Sequence, residues 1–140
     1  MPEQNEQRAT GERLHAALDL ADLGRARSML DLLVAASSED SAKDDPGLAA
    51  VTADLRDMVD EVLAATSSAI AALPVGPASQ PLLEALRSLA DGCAPVSAAL
   101  TRPVPDPVEA LRWWPAYDAA FMAAAKAVAH GNPLLSDGHP

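Results

Sequence analysis

Apolar residues recur every three or four positions along most of the chain, which is the pattern of amphipathic α-helices. The most regular stretch predicts a long helix over about residues 46–73, with Asp45 and Pro46 as N-cap and first helical residue. Its apolar positions alternate spacings of three and four: Leu48, Val51, Leu55, Met58, Val62, Ala65, Ala69 and Ala72. Such a stripe requires other helices to cover it.

Two shorter apolar stripes precede this long helix. They predict helices over residues 10–22 and 25–37, with Thr10 as the first cap and Gly24 as the interruption between them. Because the connection is short, we expect the two helices to form an antiparallel hairpin against the long helix. Residues 1–9 are predicted to be a disordered N-terminus.

The C-terminal half predicts two further helical regions. A short helix over residues 81–91 is expected to end at Gly92, with one or two more turns over residues 95–101. Asp106 and Pro107 then supply a cap and a first helical residue for a last helix over about 107–130. Pro115 lies inside it and is expected to kink it, although a break into two helices is the alternative. The tail, residues 132–140, is predicted to be disordered.

These elements predict an all-α, single-domain bundle of four to five helices over residues 10–131, with helix 46–73 at its centre. The composition agrees, because 31 Ala and 19 Leu stand against nine Val and one Ile. Alanine and leucine favour helices, whereas β-branched residues favour strands.

The charge is unevenly distributed. The chain has a net charge of −10, and its first 62 residues hold 14 acids and 6 bases, whereas the remaining 78 hold 6 acids and 4 bases. Nucleic acid and anionic membranes attract basic surfaces, so both are excluded as expected partners. A protein partner, which could be basic, or self-association remains open.

The aromatic residues are concentrated in the last helix, within nine positions. Helical geometry places Trp113 on the core face and turns Trp114 by about 100° towards a flank beside Asp118. The expected core face comprises Ala110, Trp113, Tyr117, Phe121, Ala124 and Val128. The interface or ligand candidates are Trp113, Trp114, Tyr117, Asp118, Phe121 and Met122. The alternatives for the aromatic cluster are a packed core, an interface centred on Trp114, or a ligand pocket.

No motif carries recognisable catalytic, metal-binding or phosphate-binding chemistry, and no cofactor is predicted. The acidic row of the long helix is interpreted as a solvated face, since no histidine joins it; its members are Asp54, Asp57, Asp60 and Glu61. Cys93 follows Gly92 at an expected helix end, where the helix dipole does not activate a thiol.

The leading functional hypothesis is a non-catalytic helical interaction module, an accessory, adaptor or small regulatory subunit that uses the aromatic- and alanine-rich C-terminal half as its interface. A second hypothesis is a bundle that binds a small hydrophobic ligand in a cavity lined by Trp113, Trp114, Tyr117, Met122 and Met29. A third is a small all-α enzyme that uses Asp57, Glu61 and Asp118 for acid–base chemistry.

The expected location is the cytoplasm. The N-terminus has no basic and apolar signal pattern, and a single cysteine cannot form an internal disulfide. The longest apolar runs are too short to span a bilayer. The scarcity of Ile, Lys and Asn is typical of a GC-rich bacterial genome.

Overall fold

The protein is a bundle of α-helices. The computed structural model describes residues 2–18, 20–37, 46–74, 76–102 and 105–130. These ranges hold five helices and no strand: α1 Pro2–Ala17, α2 Leu20–Ala36, α3 Pro46–Ala72, α4 Gln80–Thr101 and α5 Pro107–His130. The predicted all-α bundle is therefore confirmed, and the predicted bounds of the long and the last helix agree with α3 and α5.

The helices form a packed row, α3–α4–α5, with α1 and α2 lying against it. α4 packs most extensively on α5 and also on α3, while α1 and α2 both rest on α3 and α2 reaches α5. The Ser97 hydroxyl donates to Asp60 Oδ1 at 2.5 Å, and Gly92 lies against Tyr117. Gly92 and Tyr117 lie about equally far from the loop that connects α4 and α5, as expected for antiparallel neighbours.

The central helix α3 buries a broader face than its predicted stripe. Its buried residues include Leu55, Val62 and Ala69 from the prediction, but also Val59 and Thr66. The reason is that α4 covers one side of α3 while α1 and α2 cover another, so a single heptad seam is too narrow a description.

The N-terminal helices differ from the prediction in bounds and in packing. α1 begins at Pro2 rather than at Thr10, because residues 2–9 consist largely of strong helix formers behind a proline at the first position. Gly24 lies within α2 and does not separate the two helices. Each helix packs on α3, and the expected antiparallel hairpin between them is not formed in the described region.

The predicted end of the fourth helix at Gly92 was wrong. α4 continues through Gly92 and Pro95 to Thr101 as one helix. Gly92 is buried, and a Cβ at this position would lie 3.2 Å from the Tyr117 Cα atom. The glycine therefore serves a close approach of α4 and α5 and not a helix end.

α5 is one helix from Pro107 to His130 with Pro115 inside it, so the alternative of two separate helices is not realised. None of the helices in the described ranges has the length and apolarity needed to cross a membrane. The predicted disordered tail, residues 132–140, lies outside the described residues.

Candidate functional site

The start of α5 is fixed by Asp106, as the sequence predicted. The Glu109 amide donates to Asp106 Oδ1 at 3.0 Å, and the Ala110 amide donates to the Asp106 carbonyl at 3.1 Å. The Asp106 amide donates in turn to the Ala99 carbonyl of α4, at 3.0 Å. Capping thus also ties the first turn of α5 to the last turns of α4.

The two tryptophans occupy the opposite environments from those predicted. Trp114 is 1% exposed and belongs to the core, whereas Trp113 is 41% exposed. The buried positions of α5 follow an unbroken alternation of four and three: Ala110, Trp114, Tyr117, Phe121, Ala124 and Val128. A stripe through Trp113 would contain two successive spacings of four residues. The stripe through Trp114 keeps the regular alternation, and it is the one that is buried.

Three buried aromatic rings run along the inner face of α5. The Trp114 and Tyr117 ring centroids are 4.8 Å apart in a tilted arrangement, and those of Tyr117 and Phe121 are 5.9 Å apart, edge to face. Such pairs add to the burial of the rings themselves. Burial, followed by Cys93 and Asp118, raises the pKa of Tyr117 far above its usual value, so its phenol stays neutral.

The opposite side of α5 is exposed and carries small or apolar residues and two cations. We call this set the outward face of α5: Val108, Arg112, Pro115, Ala116, Ala119, Met122, Ala123 and Lys126. Val108 is 55% exposed and Met122 is 48% exposed. No acid lies at an exposed position of this helix, because Glu109 and Asp118 are both half-buried.

Trp113 lies at one edge of α5, away from Met122. Its indole N–H donates to Glu109 Oε1 at 3.0 Å, one turn earlier on the same helix. Of the six predicted interface or ligand residues, the structure therefore leaves Trp113 and Met122 exposed and Asp118 half-buried. It buries the other three: Trp114, Tyr117 and Phe121.

A cleft of about 420 Å³ opens between α2, α3 and the middle of α5. We call it the α3 cleft. Its floor consists of buried or half-buried side chains: Leu23, Ala26, Met58, Val62, Tyr117 and Phe121. Its rim carries four exposed charged residues: Arg25, Asp54, Asp57 and Glu61. Clefts with an apolar floor and a few polar groups are the usual form of small-molecule sites.

The rim is acidic, but one of its acids is neutralised. Arg13 of α1 holds Glu61 with two hydrogen bonds, Nε to Oε1 at 2.6 Å and Nη2 to Oε2 at 2.9 Å. These hydrogen bonds lower the pKa of Glu61 and raise that of Arg13. Asp57 lies 3.9 Å from the neighbouring Arg56, and Asp54 forms no ion pair with the described residues.

The expected ligand cavity differs from the α3 cleft. Of the five side chains predicted to line it, Tyr117 alone lines the α3 cleft. Trp113 and Met122 are exposed on α5, Trp114 is enclosed in the core, and Met29 is half-buried. Sequence analysis missed the α3 cleft because its floor joins three helices that are distant in the chain, and the acidic row was the one local signal of it.

Two of the three acids proposed for catalysis lie on the surface, and the third, Asp118, is half-buried. Asp57 and Glu61 are exposed, and the Arg13 contact keeps Glu61 ionised. Cys93 lies inside α4 and not at its end, and burial, followed by the charge of Asp60, raises the pKa of its thiol to about 12. Across the described ranges, no group of three or more His, Cys, Asp or Glu residues could hold a metal ion.

Comparison of the chain with protein-family models, with curated proteins and with solved structures gives no match. The two candidate functional surfaces of the protein are the outward face of α5 and the α3 cleft.

Proposed function

We propose that the protein is a non-catalytic helical interaction module, an accessory, adaptor or small regulatory subunit, and that its outward face of α5 docks on a partner protein. The proposal rests on one observation: the exposed positions of α5 carry apolar side chains, small residues and cations but no acid, in a chain with a net charge of −10. A merely solvated face of such a protein would be expected to share its acidic character.

The small residues make this face suitable for a close helix–helix contact. Ala116, Ala119 and Ala123 are exposed at the centre of the helix, so a partner backbone can approach closely. Val108 near the start of the helix and Met122 beside Ala123 add exposed apolar surface. Methionine adapts its shape to a partner at little cost, which suits a binding surface.

The cations favour another protein over a second copy of this chain. Arg112 and Lys126 lie equally far from Ala119, so a symmetric antiparallel pair crossing there would place Arg112 of one copy opposite Lys126 of the other. Like charges placed directly opposite each other disfavour that pair. We therefore expect a partner whose docking surface combines apolar residues with acidic ones. We propose that the complex forms in the cytoplasm of a bacterium.

The enzyme hypothesis receives no support from Asp57 and Glu61. Asp57 and Glu61 lie on the surface, and the hydrogen bonds from Arg13 favour the ionised form of Glu61. Acid–base catalysis by paired carboxylates needs environments that push their pKa values apart.

Site-specific photo-crosslinking tests the proposal. Benzoylphenylalanine replaces Ala119 on the outward face of α5 or, as a matched control, the exposed Ala98 of α4. After irradiation in cells, we expect position 119 and not position 98 to crosslink one partner, which mass spectrometry identifies. Sedimentation of the two purified proteins together should then give a complex that Ala119→Glu abolishes and Ala98→Glu leaves intact.

Three results would contradict the proposal. One is equal crosslinking at both positions, and another is a purified complex that Ala119→Glu does not weaken. The third is a dimer of the protein alone that Ala119→Glu dissociates, which would replace the expected partner with self-association.

A further inference from the structure

We propose that the α3 cleft binds a small hydrophobic amine, whose apolar body lies on the cleft floor and whose ammonium group lies at Asp54 and Asp57. This site is on a different part of the molecule from the outward face of α5, and the inference does not depend on the proposed function.

The cleft floor supplies the apolar half of the site. Leu23, Ala26 and Phe121 are buried beneath it, and Met58 is half-buried at its side. A volume of about 420 Å³ lies within the range of small-ligand sites. Burial of a phenyl or short alkyl group on such a floor removes apolar surface of both ligand and protein from water.

Tyr117 gives the floor an unused polar group. The residue is 2% exposed and lines the cleft, and its hydroxyl makes no hydrogen bond to the described residues. Among the described residues, Thr66 Oγ1 is the one side-chain nitrogen or oxygen that is fully enclosed and has no hydrogen bond. Because the Tyr117 oxygen also has no hydrogen bond, it cannot be fully enclosed. A buried phenol normally finds a partner. Tyr117 therefore adds to the cleft lining a residue whose hydroxyl has no hydrogen-bond partner among the described residues.

The charged side chains of the rim indicate the charge of the ligand. Glu61 is neutralised by Arg13, so it contributes little to the cleft. Asp54 and Asp57 remain, three residues apart on α3 and therefore on one side of the helix. Against these two carboxylates stand the guanidinium of Arg25 on the rim and that of Arg56, which lies 3.9 Å from Asp57 but does not line the cleft. Asp54 forms no ion pair with the described residues, and the net charge of −10 adds a field that attracts cations and repels anions. An apolar cation is complementary to this rim, whereas an apolar anion is not.

The experiment compares three probes that share one apolar body and differ in the head group: 4-phenylbutylamine, 4-phenylbutan-1-ol and 4-phenylbutanoate. Exposed ion pairs are individually weak. We therefore expect the amine to bind with a Kd about fivefold to tenfold lower than the alcohol, and the carboxylate to bind more weakly than both. Isothermal titration calorimetry or tryptophan fluorescence measures the three values.

Methionine methyl NMR locates the bound amine. Met58 lies in the cleft, and Met122 lies on the outward face of α5 as an internal control. We expect the Met58 methyl resonance to shift with amine concentration and the Met122 resonance to stay fixed. A shift at Met122 alone would move binding to the outward face and overturn the proposal without affecting the interaction module.

Two double variants separate the rim carboxylates from the overall charge. Asp54→Asn with Asp57→Asn removes both rim acids, and Glu84→Gln with Asp91→Asn removes two exposed acids of α4 outside the cleft. We expect the first pair to equalise the Kd values of amine and alcohol and the second to preserve their ratio. Equal effects of both pairs, no preference for the amine in the wild type, or no binding up to the solubility limit of the amine would each overturn the proposal.

Discussion

The two sides of the bundle are held together by different interactions. On one side, α5 contributes large buried rings, Gly92 of α4 allows close approach to the α5 backbone, and a cap ties both helices together. On the other side, α1 rests on α3 and α2 rests on both α3 and α5. These two helices bury aliphatic residues such as Leu14 and Leu30, and Arg13 of α1 forms an exposed pair with Glu61. Buried rings stabilise far more than exposed ion pairs.

From this difference we expect the stability of the protein to be concentrated in the α3–α4–α5 row, and α1 and α2 to open at lower free energy. The α3 cleft lies at the boundary between the two parts. The following predictions test that division, from the largest expected effect to the smallest.

Replacement of each tryptophan by alanine should show which one belongs to the buried face of α5 and which to its surface. Trp114→Ala removes a buried ring in contact with Tyr117, so we expect a loss of about 3–5 kcal/mol in the free energy of unfolding. Trp113→Ala removes a half-exposed ring and should cost under about 1 kcal/mol. Chemical denaturation measures both. Equal losses would contradict the assignment of core and surface.

Alanine at two glycines should have effects of opposite sign. At Gly92 the added methyl group would lie 3.2 Å from the Tyr117 Cα atom, so we expect Gly92→Ala to destabilise by about 1–2 kcal/mol despite its better helix propensity. At Gly24 nothing lies within 4 Å, and Gly24→Ala should stabilise by about 0.5–1 kcal/mol. Thermal unfolding followed by circular dichroism compares them, and stabilisation by both would show that α4 and α5 are not in close contact.

The buried Thr66 hydroxyl is a weakness within α3. Its Oγ1 atom is enclosed and has no hydrogen-bond partner among the described residues. Thr66→Val keeps the shape and removes the unpaired group, so we expect stabilisation by about 1 kcal/mol. Thr66→Ala leaves a cavity as well and serves as the control. Destabilisation by valine would mean that the hydroxyl has a partner.

The Arg13–Glu61 pair should give the smallest effect, and one that depends on pH. Because the pKa of Glu61 is lowered from 4.5, its contribution to stability is present above that value and is lost as the pH falls through the lowered value. The stability difference between wild type and Glu61→Gln should therefore be constant near neutral pH, decline on acidification and shrink with added salt. A difference that grows on acidification would contradict this assignment.

Much of the fold could be predicted from local pattern. The bounds of α3 and α5 follow from Pro46, Pro107 and the cap residue Asp106, together with long apolar stripes. The same pattern could also have identified Trp114 as the buried tryptophan, because Trp114 completes the regular alternation of spacings from Ala110 to Val128. The prediction instead accepted two successive steps of four and so exchanged the two tryptophans.

Other features depend on contacts between distant residues. Gly92 resembles a helix end in the sequence, and its closeness to Tyr117, which the sequence does not show, explains why α4 has a glycine at this position. The α3 cleft joins Leu23, Met58 and Phe121, which no local spacing connects. The acidic row was predicted to be solvated, and its residues are indeed largely exposed, but its position beside an apolar floor required the packed bundle.

The neighbouring tryptophans also give the protein two optical probes that respond to different events. Iodide, which does not enter a folded interior, should quench emission from Trp113 and spare Trp114 until the chain unfolds. Emission from the buried Trp114 then reports whether the core is intact. The fraction that iodide quenches comes from Trp113 and reports whether another molecule covers that edge of α5. One titration can thus distinguish association from loss of structure without any added label.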